Sequence, residues 1–81
     1  MNIDIFQPRT RDNETFAVGV PTTGHMAIIQ TYQSEAQFEA GYRTWREYAA
    51  DRKITTPVPI ERVKGDMWKI RRDLMPSDAR N

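Results

Sequence analysis

The chain of 81 residues contains no cysteine and a single histidine. The lack of cysteine excludes disulfide bonds and thiolate metal ligands, and one histidine cannot build a multi-histidine zinc site. No apolar run approaches the roughly 20 residues of a membrane span, and the N-terminus has no basic segment followed by an apolar stretch. We therefore expect a cytoplasmic protein that has no membrane partner, no cofactor and no metal.

The net charge is also small: the sequence has 12 Lys and Arg residues and 11 Asp and Glu residues, which gives +1. The charges are unevenly distributed along the chain. Residues 54–81 hold six basic and four acidic side chains, whereas residues 1–33 are slightly acidic. Such a tilt can steer an anionic partner toward the C-terminal third, but it is much weaker than the basic stripe of a general nucleic-acid binder.

Alternating apolar residues predict three β-strands, at residues 2–6, 15–20 and 25–32. Pro8 either ends the first strand or confines it to a sheet edge, because proline cannot donate a ladder hydrogen bond. Pro21 and Gly24 favour a turn between the second and third strands. These two strands should therefore form an antiparallel hairpin.

The clearest local signal is the start of a helix at residue 35. Ser34 and Gln37 have the spacing of a capping box, in which each side chain bonds the other's backbone. Large apolar residues then recur at steps of four, three and four up to about Lys53, as expected for one face of a helix. We expect three aromatic residues of this face to pack on the sheet: Phe38, Tyr42 and Trp45.

The segment after this helix allows two interpretations. Pro57 and Pro59 require an extended stretch at residues 54–59. Beyond it, apolar residues at steps of three and four predict a second helix: Ile60, Val63, Met67, Ile70 and Leu74. The alternative is a hairpin that turns at residues 64–66, which Gly65 favours. We prefer the helix because five apolar positions agree with it.

Together these elements predict a small α+β domain at residues 1–75, followed by a tail at residues 76–81. The domain would consist of a three-stranded antiparallel sheet, one amphipathic helix packed on it, and a second C-terminal helix or a hairpin.

Few residues are suited to catalysis. His25 is the one side chain that titrates near neutral pH without perturbation, and it needs a partner such as Asp4 or Glu14 to act as an acid or base. A histidine at the start of a strand more often bonds backbone or water. The glycines are scattered and form no phosphate-binding loop. We therefore expect no enzyme and no catalytic residue.

Trp68 is the most informative candidate for binding. In a helix it would lie beside the apolar stripe, with Lys64, Arg71 and Arg72 three or four residues away. A tryptophan framed by cations suits a protein interface or a nucleobase with its phosphates, although packing against the sheet is an equally simple explanation. Arg9 and Arg11, in the polar connector between the first two strands, extend this list of partner-binding residues.

The leading hypothesis is a small non-enzymatic module that binds a protein partner. In size and organisation the chain resembles small inhibitor proteins encoded by phages and plasmids, including anti-CRISPR proteins. This resemblance covers no motif and assigns no residue. The alternative hypothesis is a nucleic-acid-binding domain that uses the basic C-terminal third. A homodimer is a third expectation, because a core this small gains stability by burying apolar surface against a copy.

Overall fold

The computed structural model describes residues 5–6, 10–11, 13–52 and 55–75. Within these ranges one α-helix packs on an antiparallel sheet, so the predicted α+β class is confirmed. In chain order the elements are β1 (Ile5–Phe6), β2 (Phe16–Thr22), β3 (His25–Tyr32), α1 (Glu35–Arg52), β4 (Val58–Lys64) and β5 (Met67–Ile70).

The sheet has the strand order β1-β5-β4-β2-β3, and all neighbouring strands are antiparallel. Two tight hairpins, β2–β3 and β4–β5, lie side by side through the pairing of β2 with β4. Gly24 and Gly65 occupy their turns with φ angles of +85° and +54°. These angles are in the left-handed region that glycine adopts without strain, which explains both turn positions.

The three predicted strands are present where the structure describes them. The third is confirmed from His25 to Tyr32, and the second extends two residues further than predicted, to Thr22. Of the first, only Ile5 and Phe6 lie among the described residues. The predicted tail at residues 76–81 lies outside them. The sheet also contains β4 and β5, so three strands were too few.

The amphipathic helix is confirmed as α1, Glu35–Arg52. The backbone N–H of Gln37 donates to the Ser34 hydroxyl at 3.5 Å, which is the cap expected at this end. Phe38 and Tyr42 are buried. A Cβ atom at Gly41 would overlap the phenol of Tyr32, so this glycine allows the helix to approach β3 closely.

The second helix is not confirmed, because its segment forms the strands β4 and β5 and the hairpin alternative is correct. Two members of the predicted helical stripe, Val63 and Met67, are 49% and 37% exposed. Burial instead follows the strand pairing, in which Ile60 is opposite Ile70 and Arg62 is opposite Trp68. Backbone pairing of β4 with both β2 and β5 overrides the helical spacing.

The sheet has apolar residues on both faces. On the face covered by α1, a buried cluster contains Val18, Phe38, Tyr42 and Met75. The opposite face carries a second cluster, formed by Ala17, Val58, Ile60 and Trp68. Met75 follows a short 3-10 turn, Arg72–Leu74, which brings the end of the described chain onto the helix side. Within the described ranges, no helix has the length and apolar character required to cross a bilayer.

Candidate protein-binding surface

Trp68 lies in the core. Its side chain is fully buried and belongs to the apolar cluster on the sheet face opposite α1. The guanidinium of Arg62, its neighbour across the β4–β5 ladder, lies 4.8 Å from the centre of the ring. Trp68 therefore packs against the sheet, which is one of the alternatives left open by the sequence. The helix on which Lys64, Arg71 and Arg72 would frame it is not formed, and in a strand these residues do not form one face.

Arg62 connects three parts of the chain. Its Nε donates to the carbonyl of Glu14 at 2.7 Å, and its terminal nitrogens donate to the carbonyls of Gly65 and Arg11 and to the hydroxyl of Thr10. One planar guanidinium thus holds the connector before β2 against the β4–β5 turn. One feature of the sequence could have indicated that Arg62 contacts Trp68. A hairpin that turns at residues 64–66 places these two residues opposite each other.

Arg71 forms ion pairs with three carboxylates. It pairs with Glu61 at 2.6 Å, with Asp73 at 2.9 Å and with Glu35 at 3.1 Å, and its side chain is largely buried. The hydrogen bonds that Arg71 donates to Asp73 and to the other two carboxylates raise the pKa of Arg71 above its ordinary value, against the opposing effect of burial. These pairs connect the start of α1, strand β4 and the 3-10 turn, so the role that the structure gives Arg71 is internal.

The other predicted binding residues have different positions. Lys64 and Arg11 are exposed, and Arg62 holds the backbone beside both of them. Arg72 is half-buried in the 3-10 turn. Arg9 lies outside the described residues. Arg62 therefore brings the backbone of Arg11 close to the turn that follows Lys64, whereas Arg71 pairs with carboxylates of α1, β4 and the 3-10 turn.

The β4–β5 turn also has two exposed apolar residues beside it, and one of them, Met67, is opposite Lys64 in the ladder. Val63 and Met67 flank the β4–β5 turn and are among the most exposed large apolar residues described. We call Val63, Lys64, Met67 and Arg11 the hairpin-tip surface. Periodicity had assigned Val63 and Met67 to a core-facing stripe, so their exposure was not foreseen.

His25 has no carboxylate partner among the described residues. Its imidazole Nδ1 lies 3.0 Å from the hydroxyl of Thr22, which also lies within hydrogen-bond distance of the His25 carbonyl. Glu14, one of its predicted partners, instead accepts hydrogen bonds from Thr31 and the Arg11 backbone. Asp4 lies outside the described ranges. In those ranges no three His, Cys, Asp or Glu residues are grouped to hold a metal ion.

A polar groove of about 470 Å³ lies at the C-terminal end of β3. Its lining combines three amide side chains with Thr31, Tyr32 and a single carboxylate; the lining residues are Glu14, Gln30, Thr31, Tyr32, Gln33 and Gln37. Burial raises the pKa of Tyr32, so its phenol is neutral at physiological pH. Its lining joins the end of β3 to Gln37 in the first turn of α1.

Comparison of the chain with protein-family models, with curated protein sequences and with solved structures gave no match. The functional argument therefore depends on the surfaces described above.

Proposed function

We propose that this protein is a small binding module that contacts a protein partner through the hairpin-tip surface. The observation that carries the proposal is the exposure of Val63 and Met67 on either side of a turn whose backbone is held by Arg62. An apolar centre with a polar rim is typical of protein interfaces.

The physical properties of this surface suit a protein partner. Methionine adapts its shape to an apolar pocket, and the branched Val63 loses little rotamer freedom when it is buried. The hydrogen bonds from Arg62 to the carbonyls of Gly65 and Arg11 order the turn before binding, which reduces the entropy lost on association. Lys64 and Arg11 favour a partner with acidic groups around an apolar pocket.

The nucleic-acid hypothesis receives less support. Two arginines of the basic C-terminal third, Arg62 and Arg71, have their guanidinium groups engaged within the fold. Cations available to phosphates are correspondingly fewer, and the fully buried Trp68 offers no stacking surface. The inhibitor role of the phage- and plasmid-encoded kind stays a prediction, because it derives from size and organisation alone.

The test is affinity capture from the native host with the tagged full chain, followed by titration of the captured protein in purified form. The informative variant is Val63→Asp with Met67→Asp. Its matched control is Ala40→Asp with Ala50→Asp, which adds the same two negative charges at exposed positions of α1. We expect the tip variant to weaken binding at least tenfold, which corresponds to 1.4 kcal/mol, and the control to bind as the wild type does.

Three outcomes would contradict the proposal: no specific protein partner, equal binding by the tip variant, or capture that nuclease treatment abolishes. A capture that weakens steeply with salt and requires nucleic acid would instead support the alternative function.

A further inference from the structure

Strand β3 forms one end of the sheet and presents an open edge. Its eight residues pair with β2 on one side, and among the described residues no strand pairs with the other side. Natural sheets protect such an edge with charged residues, proline or a bulge, because unpaired backbone groups recruit other strands. Between His25 and Tyr32 there is neither a charged residue nor a proline.

A bulge gives β3 an internal symmetry. Ile28 is opposite Gly19 of β2, whereas Gln30 is opposite Val18, so Ile29 is an extra residue in the ladder. Ile29 and Gln30 thus share one ladder position. Three ladder positions therefore lie on each side of Ile28. Those before it are His25, Met26 and Ala27, and those after it are the shared position, Thr31 and Tyr32.

We propose that β3 pairs antiparallel with β3 of a second copy, about a two-fold axis at Ile28, to form one continuous sheet through both chains. In this register Ile28 lies opposite the same residue of the second copy. Ala27 lies opposite the shared position of Ile29 and Gln30, and Met26 lies opposite Thr31. Because the bulge restores the match, each facing pair is on the same side of the sheet, as an antiparallel ladder requires.

The chemistry of these pairs is compatible with self-association. No like charges face one another, because the strand carries none, and the central pair is isoleucine against isoleucine. Backbone N–H and C=O groups on the open edge gain partners from the second copy. This surface is separate from the hairpin tip, since β5 and β4 lie at the other side of β2.

The polar groove agrees with this register. It lies beside Thr31 and Tyr32, which are the positions that face Met26 and His25 of the second copy. Amide groups in the lining, including that of Gln37, provide donors and acceptors for the imidazole of His25.

The first experiment measures the mass of the full chain by sedimentation equilibrium over a wide concentration range. We expect a reversible dimer of two 9.5 kDa chains. A single-chain mass up to the solubility limit would overturn the proposal, and it would leave the hairpin-tip function untouched.

The second experiment places charge on the axis. Ile28→Lys and Ile28→Glu each put like charges opposite one another, so each variant should be a monomer, with folding checked by circular dichroism. An equal mixture of the two should form a one-to-one heterodimer, because lysine then faces glutamate. Folded variants that dimerise as the wild type does would place the interface elsewhere and refute this register.

A third variant decides the matter if charge at residue 28 prevents folding. The chain contains no cysteine, so any disulfide formed by Ile28→Cys joins two chains. Residues that face each other in an antiparallel ladder have Cα atoms about 4.5–5.5 Å apart, within reach of a disulfide. Mild oxidation should cross-link this variant rapidly and Val63→Cys slowly; equal rates would reject the pairing.

Discussion

The guanidinium of Arg62 lies 4.8 Å from the centre of the Trp68 ring. The same group donates hydrogen bonds to the connector before β2 and to the β4–β5 turn. A cation over the face of a tryptophan is attracted by the negative potential of the ring. The guanidinium of Arg62 therefore covers Trp68 on the sheet face opposite α1, and its own N–H groups have hydrogen-bond partners. This contact explains why a tryptophan with basic sequence neighbours is a core residue.

Substitution of Trp68 should affect stability before it affects binding. Trp68→Ala leaves a cavity in the cluster with Ala17 and Ile60 and should lower the free energy of unfolding by about 3–5 kcal/mol. The indole N–H has no hydrogen-bond partner among the residues that the structure describes, so Trp68→Phe should cost much less than alanine. Urea denaturation followed by circular dichroism measures both variants. A Trp68→Ala variant as stable as the wild type would contradict the burial of this ring.

Arg62 should act through the geometry of its donors rather than through its charge. Arg62→Ala should lower the free energy of unfolding by about 1–3 kcal/mol, because the partly buried carbonyl of Glu14 and the carbonyls of Gly65 and Arg11 lose a charged donor. Arg62→Lys keeps the charge but cannot reach Glu14, Gly65 and Arg11 at once, so it should recover less than half of this loss. The exposed Arg43 provides the control, since Arg43→Ala should change stability little. Full recovery by lysine would indicate that charge alone matters.

The ion pair of Asp73 with Arg71 should make stability depend on pH in the acidic range. The hydrogen bond from Arg71 lowers the pKa of Asp73 below its ordinary value of 3.8. A carboxylate whose pKa is lower in the folded state stabilises the fold above its unfolded pKa, and this contribution is lost as pH falls through the folded pKa. The stability difference between the wild type and Asp73→Asn should therefore be constant near neutral pH and shrink below about pH 4.

Salt provides the control for this prediction. Asp73 is well exposed, so the difference should be modest and should decrease in high salt. A difference that persists unchanged at pH 2 would mean that Asp73 stabilises the 3-10 turn without its charge.

Gly41 should be required for the contact between α1 and β3. Alanine normally stabilises a helix by about 1 kcal/mol relative to glycine, yet its Cβ atom at this position would overlap the Tyr32 phenol. Gly41→Ala should therefore destabilise the protein by about 1–3 kcal/mol. In a Tyr32→Leu background the same change should become stabilising. Thermal unfolding of the four proteins of this double-mutant cycle measures the coupling; additive effects would exclude the clash.

Local signals were sufficient for part of the fold and failed for another part. The helix was predictable because Ser34, Gln37 and the spacing from Phe38 all agree, and these are interactions within one segment. The β4–β5 region was misassigned because Val63 and Met67 also fit a helical stripe. Only the pairing of β4 with β2 and β5 decided between the two structures, and that pairing joins residues far apart in the chain.

The candidate surface was predictable to a similar extent. Lys64 and Arg11 were named from the sequence, and both are exposed, but Val63 and Met67 were assigned to the core. Trp68 and Arg71 were expected at a surface, and the fold gives them internal contacts instead. Their roles depend on Arg62, Glu61 and Glu35, whose positions beside them no sequence spacing could reveal.

The lack of cysteine, the single histidine and the small net charge determined, without any structure, that disulfides, thiolate metal sites and a strongly basic binding stripe are excluded. The sequence alone also determined the capped helix and the hairpin of β2 and β3, because their signals are local. The tertiary structure decided which aromatic and basic residues are buried, because burial depends on strand order and on contacts between distant segments. It therefore buries Trp68 and leaves Val63 and Met67 exposed at the β4–β5 turn.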